Sequence, residues 1–175
     1  FRFSPNKTKN IRNEERRMDY NNIFDLNRLG MEDTLEGGES LTMGFDYKLV
    51  KNEENSELLK LGLVQVFRNE ENEDLPETST LGDSSSDVFG SISLKNDDIV
   101  KLDYIFNADD GLSKSNYKSL DIELNVNKFI TSFEYLDDEV SSDKNNYSTI
   151  NIAYNIDDNH SIKIAKRENR KINLT

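Results

Sequence analysis

Apolar and polar residues alternate one by one along most of this chain. Leu41, Met43, Phe45, Tyr47 and Leu49 alternate with Thr42, Gly44, Asp46 and Lys48. Strict period-two alternation predicts a β-strand with one apolar face. The same rule predicts a strand over Val88, Gly90, Ile92 and Leu94, and another over Val100, Leu102, Tyr104, Phe106 and Ala108. The tight link between those two makes them a hairpin. Three further rows follow, built on Leu120 to Val126, Phe129 to Tyr135 and Ile150 to Ile156, and a last row opens at Ile162 and Ile164 beside Ser161, Lys163 and Arg167. One strand is ambiguous. Between Leu58 and Arg68, Leu59, Leu61, Leu63 and Phe67 fall on one face and Leu58, Val64 and Val66 on the other.

The connections alternate in length. Lys51 to Ser56, Lys95 to Asp98, Asn127 and Asp157 to Asn159 are short, whereas Asn6 to Gly38, Asn69 to Ser86, Asp109 to Asn116 and Asp137 to Asn146 are long. Short turns at one end and long loops at the other are the habit of a transmembrane β-barrel. The predicted strands also approach the roughly 9 to 11 residues that a tilted strand needs to cross a bilayer. The usual globular strand has about 5 to 6. Charge follows the same division: Asp46, Lys48, Asp103, Asp121, Glu123 and Glu134 sit on the rows opposite the apolar ones. Tyr47, Tyr104, Phe106, Phe133, Tyr135 and Tyr154 are placed for an interfacial aromatic girdle, although aromatic residues are ordinary strand formers too. An antiparallel sheet with one packed and one solvated face gives the same alternation. A soluble β-sandwich binding module therefore stands as the alternative to a barrel.

Composition narrows the functional classes. The chain has 175 residues, a formal net charge of -12, 34% hydrophobic residues, one His, and neither Cys nor Trp. No apolar run approaches the length of a membrane-crossing helix. The acidic excess argues against a nucleic-acid partner, which needs Lys and Arg along its phosphates. From Asn69 to Asp87 the chain carries seven carboxylates and no Lys or Arg. Such a block reads as a solvated, mobile loop, since like charges repel; the sharper reading is a surface that collects divalent cations. The segment Phe1 to Pro5 lacks a signal-peptide pattern, and Ile172 to Thr175 reads as a strand cut in progress, so an internal fragment of a single barrel domain is expected across 1–175.

Candidate chemistry is sparse. His160 lies among Asp157, Asp158 and Asn159 and reads as a surface residue, and a lone His without Cys makes no zinc constellation. No serine sits in a nucleophile elbow and no Gly-rich loop precedes a helix. Asp109-Asp110-Gly111 lacks the alternate ligands and distal Glu of a calcium loop. No catalytic residue, metal site or cofactor is expected.

One stretch is more specific. Asn22, Phe24, Arg28, Gly30, Asp33, Glu36, Gly37 and Gly38 precede the strand that begins near Leu41. This arrangement, over Asn13 to Tyr47, resembles the LPS-assembly protein family LptD, also called OstA or organic solvent tolerance protein. Ser84 to Gly90 and Val100 to Tyr104 resemble the following hairpin of that family. The sequence departs in Thr34, where many members carry Arg, and in lacking the cysteines with which some members join barrel and periplasmic domain. The resemblance implies an all-β fold, an antiparallel meander of about 8 to 9 long amphipathic strands forming part of a large transmembrane β-barrel, left as an open curved sheet when taken alone. It further implies a non-enzymatic role in the Gram-negative outer membrane: lipopolysaccharide is received from a periplasmic bridge, passed through a periplasmic domain, and inserted into the outer leaflet. Partners implied are lipopolysaccharide, outer-membrane lipid, a periplasmic Lpt bridge component and an LptE-like lipoprotein plug. A porin is the rival within the barrel class. For the loop itself, Arg28 lies among Asp25, Glu32, Asp33 and Glu36, ready for charge-assisted hydrogen bonds. Gly37-Gly38 frees the backbone for a sharp turn. A long, partly ordered extracellular or lumenal loop is expected over 10–40, and an ordered plug folded into the lumen is favoured over direct ligand binding.

Overall fold

A computed structural model describes residues 1–51, 56–141, 144–157 and 159–169. Among them nine strands form one sheet: β1 (Arg2–Ser4), β2 (Gly38–Lys51), β3 (Ser56–Arg68), β4 (Val88–Asn96), β5 (Val100–Ala108), β6 (Ser115–Val126), β7 (Phe129–Asp138), β8 (Asn146–Asn155) and β9 (Ser161–Asn169). Each pairs antiparallel with the next, in the order β1 to β9, and the sheet stays open. The expected all-β meander is the observed fold. Apart from β1, the strands run from 9 to 14 residues, well beyond the globular mode of about 5 to 6. The link at 52–55, residue Asp158 and the strand expected at Ile172–Thr175 lie outside the described residues.

Two strand ends differ from the alternation rule. β6 starts at Ser115, four residues before the alternating row at Ser119, because Tyr117 is buried and the Ser115 hydroxyl donates to the Asn107 carbonyl at 3.0 Å. β1 carries too few residues for any periodicity to show.

Register partners share a face, so the pairing sorts every strand residue onto one of two surfaces. On the outer surface Leu41, Phe45, Leu63, Ile152 and Ile164 remain exposed, and among the described residues no second sheet covers them. The alternative of a sandwich, with Leu41 to Leu49 packed inward, therefore fails for the described residues. The inner surface carries the polar rows and, over β3 and β4, a dense core.

That core joins three segments distant in sequence. Ile11, Met18, Tyr20, Ile23 and Leu29 of the long loop between β1 and β2 meet Val64 and Val66 of β3, Phe89 of β4, and Leu75 and Leu81 of the β3–β4 loop. The two-faced composition of β3 follows from this arrangement: Leu63 and Phe67 stay exposed outside while Val64 and Val66 are buried under the loop. The acidic loop at 69–87 differs from its expectation. It is folded, because Leu75 and Leu81 anchor it and its backbone bonds to the first loop, Ile11 N–H to the Asp74 carbonyl at 2.8 Å and Glu77 N–H to the Arg12 carbonyl at 3.1 Å. Of its carboxylates, Glu77 and Glu73 stand 3.7 Å and 3.9 Å from Arg12, and the buried Asp87 accepts from the Asn116 amide at 3.1 Å.

Burial predicts what each apolar side chain of the loop is worth. Ile23 is 0% exposed and Leu26 is 95% exposed, so Ile23→Ala is expected to destabilise the seated loop by about 2–5 kcal/mol and Leu26→Ala by almost nothing. Limited proteolysis of the loop in the two variants, at rising temperature, measures the difference.

Candidate functional site

Three arginines meet one carboxylate where the loop joins the wall. Glu36 lies just before β2, Arg28 eight residues earlier in the loop, Arg68 at the end of β3 and Arg2 in β1. Glu36 Oε2 accepts from Arg28 Nε at 2.6 Å and from Arg2 at 2.8 Å, and Oε1 accepts from Arg28 and Arg68. All four lone-pair positions of the carboxylate are thus occupied. Arg28 is 0% exposed and Glu36 5%, so the ion cluster is withdrawn from water.

Charge burial on this scale holds only when every donor has a partner. Arg28 also donates to the Thr42 and Ser40 hydroxyls of β2, each at 3.1 Å. Arg68 donates to the Leu81 carbonyl at 2.7 Å and the Gly37 carbonyl at 3.1 Å, and Arg2 to the Asp25 carbonyl at 2.7 Å. Burial by itself raises the Glu36 carboxyl, but the hydrogen bonds and charge of Arg28, with the charges of Arg68 and Arg2, outweigh it and hold Glu36 below its ordinary value. One carboxylate therefore ties together β1, the loop, β2, β3 and the β3–β4 loop.

A second contact lies further along the same wall. The inner rows of β2 and β3 each contain a glycine, Gly44 and Gly62, on adjacent strands. A Cβ at Gly62 would overlap the Tyr20 ring, and one at Gly44 would stand 3.0 Å from Phe24 Cζ. The two missing side chains leave notches for the two aromatic rings, which meet edge to face at 6.4 Å. Tyr20 donates its hydroxyl to Asp46, and burial with that hydrogen bond pushes its pKa up to about 12. Beyond the notches, Asn107 of β5 donates to the Met18 carbonyl at 2.7 Å, and the Arg17 guanidinium covers the Tyr117 ring at 4.3 Å. The loop thus lies on the inner face from β2 to β6.

A family model described as LptD, LPS transport system D, matches residues 5–167. The chain belongs to the LptD family. That match spans the loop and the strands through most of β9, so the likeness extends well beyond the stretch Asn13 to Tyr47 that carried it in the sequence. No curated protein and no solved structure matches the chain. The LptD family is a transport and assembly component for lipopolysaccharide in the outer membrane. Among the described residues no helix is long and apolar enough to cross a membrane, which says nothing about crossing by strands.

The LptD-like motif residues do not form a single cluster. Arg28, Glu36 and Gly37 meet at the ion cluster, where a Cβ on Gly37 would overlap the Asn6 carbonyl. Gly38 opens β2 at a φ of +83°, a conformation that costs other residues more than glycine. Phe24 fills the Gly44 notch. Asn22 holds a local turn, its side chain accepting from Asp19 N–H at 3.0 Å and donating to the Arg17 carbonyl at 3.3 Å. Gly30, at φ +69°, closes a turn under the Arg16 side chain. Asp33 stands apart at the surface, paired with Lys9 at 2.7 Å. Of the four carboxylates around Arg28 in sequence, only Glu36 reaches its guanidinium.

Sequence reasoning did not single out Arg2, Arg68, Tyr20 or Gly62. Gly44 and Gly62 did leave a signal, as small residues interrupting inner rows; Arg68 left none, because only the fold brings it 32 positions back to Glu36. Asp109 serves its own turn by accepting from Ser113 and Lys114 N–H, and His160 is exposed beside Asp157 at 2.8 Å. Among the described residues no group of His, Asp or Glu is placed to hold a metal ion.

Glu36→Ala would leave three arginines in the cluster without a counter-charge, two of them almost wholly buried. It is expected to cost about 3–5 kcal/mol and to unseat the loop, measured by protease cleavage between 5 and 37. Because the folded Glu36 value lies below the ordinary 4.5, its contribution is fully present above that pH and is lost as pH falls through the depressed value. Wild-type protein is therefore expected to keep the loop protected at about pH 5 and to lose protection only in stronger acid. Loss of protection already at neutral pH would contradict this.

Proposed function

We propose that residues 1–175 form one segment of the wall of an outer-membrane β-barrel, and that the barrel inserts lipopolysaccharide into the outer leaflet as part of an LptD-like translocon. The observation that carries the reading is the division of the sheet into two surfaces. Large apolar side chains stand exposed along the outer rows of β2, β6, β8 and β9, with Lys166 and Glu168 at the far end of the β9 row, while the inner rows of these strands are mostly polar. In water such a surface would be a liability. Against lipid it is the stable arrangement, and the polar inner rows then line a wet lumen.

On this reading the motif residues Asn22, Phe24, Arg28, Gly30, Asp33, Glu36, Gly37 and Gly38 have a structural role. Phe24, Arg28, Glu36 and Gly37 hold the long loop against the lumenal wall as a fixed plug, and the others shape its turns and surface. The long-loop end of the sheet faces the outside and the short turns face the periplasm. An LptE-like lipoprotein and a periplasmic bridge component are the partners that supply and guide the cargo. The sugars of the amphiphile take the polar lumen, and its acyl chains leave through the wall. The role is one of transport, with no bond made or broken.

Two experiments test the reading. Depletion of the protein is expected to make lipopolysaccharide accumulate in the periplasm while the cell surface loses it; normal surface lipopolysaccharide after depletion contradicts transport, and a passive channel would behave that way. Lysine placed on the lipid side costs about 2–4 kcal/mol near the bilayer midplane. Phe45→Lys or Ile152→Lys is therefore expected to reduce assembled barrel in the outer membrane strongly, and Ser119→Lys, on the inner row, to leave it near wild type. Equal effects would contradict the two-surface assignment.

A further inference from the structure

The inner surface is not electrically uniform. One transverse row runs from Lys48 of β2 through Lys60 of β3 and Ser93 of β4 to Asp103 of β5, Asp121 of β6 and Glu134 of β7, which stand side by side, and ends at Thr149 of β8 and Arg167 of β9. Lys101 stands 3.3 Å from Asp103 and offsets it, while Asp121 and Glu134 repel each other and any anion. Across β8 and β9 the character changes. The inner row of β8 is Tyr147, Thr149, Asn151, Ala153 and Asn155, without a charge, and β9 adds Lys163 and Arg167.

The details of that second half are those of a site for a phosphorylated saccharide. Arg167 stacks on the Tyr147 ring at 4.1 Å, which fixes the guanidinium on the wall while no described carboxylate pairs with it. A guanidinium held this way offers a fork of donors matched to phosphate. Lys163, on the same row, supplies a second cation about 13 Å away, four strand residues at roughly 3.3 Å each. Between them the wall is low, because Ala165 and Ala153 carry only methyl groups. Its floor is amide and hydroxyl: Asn151 donates to the Ser132 hydroxyl at 3.0 Å and Thr149 lies alongside. The fixed loop reaches β6 and leaves this surface uncovered.

We propose that the inner face of β8 and β9 is the part of this wall that contacts the cargo, binding the phosphorylated, hydroxyl-rich head of lipopolysaccharide between Lys163 and Arg167, while the carboxylates of β5 to β7 keep it off the neighbouring wall. This rests on the transport reading and adds the surface used. Charge complementarity selects the occupant: an anionic sugar head fits the basic, hydroxyl-lined half and is excluded from the acidic half. A neutral solute would not distinguish them.

The test is site-specific photo-crosslinking in the full-length protein in living cells, with a photoreactive residue at Asn151 or Ala165 against Asp121 or Glu123, and lipopolysaccharide adducts read by immunoblot. Adducts are expected several-fold more abundant at Asn151 and Ala165. Adding Lys163→Glu together with Arg167→Glu should lower the Asn151 adduct several-fold in the barrels that assemble. If that variant does not assemble, the positional contrast in otherwise wild-type protein still decides. Equal or stronger adducts at Asp121 and Glu123 would overturn the site alone. Adducts at none of the four positions would also overturn it, and together with normal surface lipopolysaccharide on depletion would overturn the transport reading as well.

Discussion

The buried carboxylate of Glu36 is the interaction on which the arrangement of the loop depends. Its four acceptor positions receive donors from Arg28, Arg68 and Arg2, which belong to the loop, to β3 and to β1. A buried charge is costly unless it is fully paired, so the cluster is weak evidence of extra stability but strong evidence of a single geometry. Removing Glu36 leaves all three arginines without the carboxylate they share. The loop can therefore sit on the wall in this register and in few others. The aromatic rings of Tyr20 and Phe24 add shape to that charge-based selection, since the notches at Gly62 and Gly44 fit them at one position along the sheet.

Seating the loop changes what the sheet has to satisfy. A strand with one face in water needs only one apolar row, whereas β3 carries two, with Leu63 exposed on the outer surface and Val64 and Val66 buried under the loop core. β8, which carries no loop, returns to one apolar row, Ile150, Ile152 and Tyr154, and a polar inner row. The wall thus has a filled half and an open half.

Most of the strand pattern was legible because period-two alternation is a property of single residues in order. The meander, its long and short ends and the outer rows of β2, β5 and β7 all follow from it. What was not legible depends on contacts between distant segments. Both faces of β3 were apolar for reasons that no periodicity assigns. The acidic run at 69–87 reads as solvated if charge alone is counted, yet Leu75 and Leu81 fold it against the first loop. In the candidate site, Arg28 and Glu36 belong to a recognisable motif, but nothing nearby distinguishes Glu36 from Asp25, Glu32 or Asp33 as the partner. Arg68 and Arg2 make that choice, because both place their guanidinium groups on Glu36.

The central claim is that this sheet has a lipid surface and a lumenal surface, with the loop fixed on the latter. The chain contains no cysteine, so single cysteines introduced into an otherwise cysteine-free full-length protein, probed in native membranes with a membrane-impermeant maleimide, test it most directly. Cysteines at Met43, Leu63 and Ile150 should be protected by lipid, those at Asp121 and Thr149 should react, and one at Val66 should react only when Glu36→Ala unseats the loop. Reaction at Met43 and Ile150 with protection at Asp121 and Thr149 would contradict the account.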